Sequence, residues 1–81
     1  MITDQEAIQN IAANVRRLRT AAGISQDELA LKINENPMAV SRLCRGIHEP
    51  KIGIVMRIAE LFEVKIEELT ATPKKKSLRS A

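Results

Sequence analysis

The chain has 81 residues, 44% of them apolar and 28% charged, enough for one small domain near the lower size limit for a core that stands alone. Phe62 is the only aromatic residue and Cys44 the only cysteine, so the core must be aliphatic, and no internal disulfide can form, which suits a reducing compartment. No apolar run approaches the ~18 residues of a membrane span, and the start lacks a basic-then-apolar leader, so a soluble, cytoplasmic protein is expected.

The first predicted helix covers residues 4–21. Ile8, Ile11, Ala12, Val15 and Leu18 recur at intervals of three and four, one apolar stripe. Thr3 and Glu6 match a capping box, and Gly23 is a suitable terminator. Ser25 reads as the N-cap of a second helix, roughly 26–33, with Asp27 and Glu28 in its first turn and Leu29, Ala30 and Ile33 turned inward. Asn34 stands where the chain needs a left-handed residue, which asparagine tolerates better than other side chains. Asn36-Pro37 then starts a third helix, with Asn as N-cap and Pro at the first helical position.

This third helix, 37–45, faces Val40 and Leu43 inward and stops at Gly46. After the loop "IHEP", a fourth helix at about 51–62 is expected to bury Ile52, Val55, Ile58, Ala59 and Phe62. A short fifth, near 65–70, carries Ile66 and Leu69. The domain is thus placed at 1–70 in an all-α, five-helix fold. Residues 71–81, poor in apolar residues and basic, read as a disordered tail.

Two short helices joined by so tight a turn form a helix-turn-helix. Ala30 is small enough for a close crossing, and Val40 and Leu43 anchor the third helix by one side. Pro37, Met38, Ser41, Arg42 and Arg45 are left as one outward stripe, on a helix of a size that enters the ~12 Å major groove of B-DNA. Charge supports the same direction only through its distribution. The net charge of +3 comes from Lys74, Lys75, Lys76 and Arg79, while residues 1–73 hold nine bases against ten acids. Within those residues Arg16, Arg17 and Arg19 cluster, Arg42, Arg45 and Lys51 surround the third helix, and acids concentrate at 60–68. A domain polarised in this way can bind a polyanion on one face at zero net charge.

From Ile11 to Leu69 the chain resembles the Cro and lambda-repressor-like (XRE) family of transcriptional regulators. The segments that carry the resemblance are "VRRLRTAAGISQDELALKI", "VSRLCRG" and "IAELFEVKIEEL". It implies a five-helix domain whose second and third helices read double-stranded DNA. It also implies a phosphate contact by Gln26 and base reading by Asn36, Pro37, Met38, Ser41 and Arg42. Relatives often carry Glu late in the third helix, paired with an arginine of the first. Cys44 stands there in this chain, which leaves Arg19 without that partner and open to phosphate. Pro37 donates no hydrogen bond, so base reading is expected to lean on Met38, Ser41 and Arg42.

Each residue also has a plainer explanation. Arg42 can be a solvated charge, although Arg is the commonest bidentate reader of guanine. Arg45 suits the helix dipole as well as a phosphate, and Lys51 joins the phosphate set. Met38 can fill a core gap or meet a thymine methyl. Cys44 and His48 lack the further ligands a zinc site needs, and Glu67 and Glu68 point apart. No cofactor, small-molecule ligand or catalytic role is expected. On the fourth helix, Ile54 and Leu61 are expected to lie opposite the core stripe and to form a dimer interface. The whole reads as a repressor that binds an inverted-repeat operator as a homodimer. The alternative is an antitoxin-type protein that binds a toxin and its own operator.

Overall fold

The structure, a computed structural model, describes residues 2–73. Five helices follow in order: α1 (Asp4–Ala22), α2 (Gln26–Lys32), α3 (Pro37–Arg45), α4 (Ile52–Phe62) and α5 (Ile66–Thr70). No strand occurs among the described residues, and no helix is long and apolar enough to cross a membrane.

The helix starts follow the local signals. Thr3 Oγ1 accepts from the Glu6 amide at 3.1 Å while Glu6 Oε1 accepts from the Thr3 amide at 2.9 Å, a reciprocal capping box. Ser25 and Glu28 repeat the arrangement at α2, at 3.0 and 2.7 Å. Asn36 Oδ1 accepts from the Met38 amide at 2.7 Å, and Pro37 follows it in the first turn of α3.

The helix ends share one device. After each of α1 to α4 a left-handed residue reverses the chain: Gly23, Asn34, Gly46 and Glu63. Their amides and those of the next residues bond back to carbonyls of the last turn, as Gly46 to Leu43 and Ile47 to Arg42. Gly46 is doubly constrained, because a Cβ there would stand 2.9 Å from Gln9 Nε2, which itself donates to the Gly46 carbonyl. Glu63 carries no sequence signal for this conformation.

The core is aliphatic and single: Ile11, Val15, Leu29, Val40, Ile58 and Leu69 are among its buried members. Two features depart from expectation. Asn14, on α1, is 1% exposed. Its Nδ2 donates to the carbonyls of Leu69 at 2.7 Å, Ala71 at 2.9 Å and Glu68 at 3.2 Å, and Asn10 Nδ2 reaches Thr70 O at 2.9 Å. Two asparagines of α1 thus close the carboxyl end of α5, whose carbonyls have no partners within so short a helix.

The second departure is the phase of α4. Its buried residues are Ile54, Val55, Ile58 and Ala59, whereas Ile52 is 65% exposed. At about 100° per residue, the buried face is centred near Val55, Ile58 and Phe62, about 35° round the axis from the stripe expected. Ile54, expected on the open face, is therefore core, and Ile52 is surface. Seven of the eleven residues of "IGIVMRIAELF" are Ile, Val, Met, Leu or Phe, so apolar periodicity alone does not phase this helix.

Candidate nucleic-acid interface

α3 buries Val40, Leu43 and Cys44 and turns its other side out. Asn36, Pro37, Met38, Arg42 and Arg45 are exposed and Ser41 is half-buried. Met38, at 58% exposure, is not a core gap-filler. The stripe is chemically mixed: a proline and a thioether at the amino end, a hydroxyl in the middle, and two guanidinium groups in the last turn. Both cations sit at the negative end of the α3 dipole, and the first turn has no acid.

The α2–α3 turn sets where this stripe stands. Asn34, at φ 57°, bends the chain, and the Glu35 amide donates back to Ala30 O at 2.8 Å. At the far end of α3, Arg16 of α1 donates through Nη1 to the carbonyl of Cys44. Arg16 therefore holds the last turn of the helix, a role no local pattern in the sequence announces, since it depends on a residue 28 positions away.

The residues outside α3 divide into those free to meet a ligand and those already engaged. Gln26, the first residue of α2, is half-buried; Lys51, the N-cap of α4, is exposed. Lys51 and Arg42 line one shallow groove together with Glu35, Glu49 and His48. Arg19 is engaged: its Nη1 donates to Ile24 O at 3.0 Å, and its Nε is buried without a hydrogen-bond partner. Arg19, expected to be open to phosphate, is half-buried beside Cys44 and already bonds inward through Nη1. Burial pushes the Cys44 thiol pKa up, and Arg19 and Arg16 nearby oppose that shift in part.

A model of the helix-turn-helix family matches residues 15–69, which holds all of α2, α3 and the turn between them. The chain belongs to the Cro/C1-type helix-turn-helix family of DNA-binding transcriptional regulators. An uncharacterized HTH-type transcriptional regulator of Archaeoglobus fulgidus is 31% identical over 55 residues, 68% of this chain and 79% of that one. The crystal structure of a hypothetical transcription factor, NHTF, from Neisseria superposes with a TM-score of 0.79. That likeness covers 100% of this chain and 92% of the other at 23% identity, and it speaks for the fold. The helix-turn-helix assignment thus rests on sequence and fold alike.

The dimer residues expected from sequence do not form one patch. Ile54 is 6% exposed and belongs to the core, so it is not available to a partner. Leu61 is at the surface but on the flank of α4 nearest the turn, lining a groove with Ile33, Asn34 and Arg57. The most exposed apolar residues of α4 are instead Ile52 and Met56, one turn apart. Ile66 of α5 lines the grooves beside both, and Val64 and Ile8 extend the apolar surface.

Proposed function

We propose that this helix-turn-helix protein is a sequence-specific transcriptional repressor that binds an inverted-repeat operator as a homodimer and occludes a promoter. The observation that carries the reading is the division of α3 into a buried side, Val40, Leu43 and Cys44, and an exposed side of base-reading chemistry. Arg42 offers two parallel N–H donors to guanine O6 and N7, Ser41 one hydroxyl to either base, and Met38 an apolar tip to a thymine methyl. Asn36 and Pro37 supply contact at the amino end, where Pro37 donates nothing. Gln26, Arg45 and Lys51 take the backbone phosphates, which fix register without reading sequence.

One helix reads only a few base pairs, too few to single out a site among ~10⁶ or more competitors. Two copies about a two-fold axis read twice as many, with their α3 helices about 34 Å apart on one side of the duplex. The surface of Ile52, Met56 and Ile66 is the apolar face proposed for their meeting.

The reading helix is tested by selection from a random DNA pool. Arg42→Ala is expected to lose about 1–3 kcal/mol for the preferred site and to relax one base position. Gln26→Ala is expected to weaken all sequences alike. An unchanged sequence preference for Arg42→Ala sinks its base-reading role.

The tail residues Lys74, Lys75, Lys76 and Arg79 lie outside the described residues but carry the whole positive excess. They are proposed to add sequence-independent affinity by neutralising phosphates. Deleting residues 73–81 is expected to flatten the salt dependence of binding by roughly 0.9 log unit per lost contact, with the preferred sequence unchanged. An identical salt slope in the truncated protein shows that the tail does not touch DNA.

A further inference from the structure

Glu35 differs from its counterparts at the other helix ends. After the left-handed residue that stops α1, α3 or α4 comes an apolar residue, Ile24, Ile47 or Val64, the usual companion of this kind of stop. After Asn34 comes a carboxylate. Glu35 Oε2 accepts from Arg57 Nη2 of α4 at 2.8 Å, and Glu35 Oε1 accepts from the backbone amide of Asn36 at 3.1 Å. Asn36 in turn caps α3 through the Met38 amide.

Three facts make this more than a surface ion pair. It is the only ion pair among the described residues, and the only side-chain hydrogen bond there that ties α4 to another element. Its carboxylate bonds to the N-cap of α3 itself, so any displacement of Glu35 displaces the start of that helix. Arg57 is also held from behind, its Nε donating to Gly53 O at 3.3 Å within α4. The carboxyl pKa of Glu35 is lowered, first by the Asn36 amide bond and then by Arg57 and Lys51, so the pair is charged at neutral pH.

We propose that Arg57, acting through Glu35, is a positioning residue for DNA reading: it fixes the amino-terminal turn of α3 against α4 and so sets the discrimination of the bases that turn meets. The inference rests on α3 as the base-reading helix. It adds a residue that touches no base. Arg57 follows Met56, on the helix that carries the proposed meeting face, so the same link ties the reading helix to the frame shared with the second copy.

The test compares Arg57→Ala, Arg57→Lys and the Arg57→Ala/Glu35→Gln double variant by selection from a random DNA pool, with salt titrations and thermal unfolding alongside. The base positions belonging to the first turn are those that Met38→Ala blurs. Arg57→Ala is expected to lower discrimination at those positions about fivefold, the scale of a partly exposed charge pair, while the position relaxed by Arg42→Ala keeps its preference. The salt slope is expected to stay unchanged, Arg57→Lys to restore most of the preference, and Glu35→Gln to cost nothing further once Arg57 is gone. An unchanged preference in Arg57→Ala overturns the proposal. So does an even loss at all positions with a lower melting temperature, which marks a merely structural pair, and so does a shallower salt slope, which marks Arg57 as a phosphate contact. In those three cases DNA reading by α3 stands. An unsubstituted protein that enriches no sequence overturns that reading and the positioning role with it.

Discussion

Replacing Ile52 and Met56 together by glutamate is expected to abolish binding as a dimer while leaving the helical fold intact. Both side chains are more than half exposed, so their carboxylates stay in water and the core is untouched. In the proposed dimer the carboxylates meet their symmetry mates and are repelled, and the apolar area proposed to drive association is lost. Affinity for a full inverted repeat is expected to fall by about 10² or more, because the second half-site is no longer delivered by the first. Affinity for an isolated half-site is expected to remain. Sedimentation of the free protein and titration of full and half sites measure both quantities. A double variant that still binds the full site as a dimer removes this face from consideration. Ile54→Glu provides the contrast: it places a carboxylate in the core at 6% exposure, where the cost is several kcal/mol, and is expected to unfold the protein.

Asn14→Ala is expected to destabilise the domain strongly while leaving the α3 surface intact. The side chain is 1% exposed and serves three carbonyls at the end of α5, two of them at 2.7 and 2.9 Å. Its removal leaves buried acceptors without partners, each worth about 1–3 kcal/mol. α5 has five residues and lacks a side-chain cap at its start, so it has little else to hold it. A loss of about 3 kcal/mol is expected, which in a domain of this size lowers the melting temperature by about 12–24 °C. Asn14→Asp is expected to be worse, because it presents oxygen acceptors to carbonyl oxygens. Thermal unfolding with amide exchange at residues 66–71 is the measurement. A variant within about 0.5 kcal/mol of the parent shows that the asparagine contributes no more than an ordinary surface residue.

Arg17 shows how the same link extends toward solvent. Its Nη2 donates to Asn14 Oδ1 at 3.2 Å, which holds the amide with its Nδ2 toward α5. Arg17 had only the pattern of a solvated charge in the sequence. Its partner lies three residues away on the same helix, but the reason for the bond lies in the carbonyls more than fifty positions downstream.

What the sequence determined by itself acts within about one helical turn, with Glu63, a left-handed stop that no residue type announces, as the exception. Thr3, Ser25 and Asn36 cap α1, α2 and α3 as their side chains require, Pro37 opens α3, and Gly23, Asn34 and Gly46 end their helices in the left-handed conformation. The outward stripe of α3 was legible for the same reason: polar residues on one side, with Val40 and Leu43 to anchor the other, leave one phase open. Tertiary structure decided what depends on partners distant in the chain. α4 is apolar on too many sides for its own pattern to choose a phase, so packing against the other helices put Ile54 inside and Ile52 outside. Arg19 bonds inward to the Ile24 carbonyl, and Asn14 is committed to α5, because the carbonyls the fold brings against a buried amide must find a donor. Glu35 and Arg57, 22 positions apart, met only because the α2–α3 turn lies against α4, and no spacing along the chain encodes a contact of that kind.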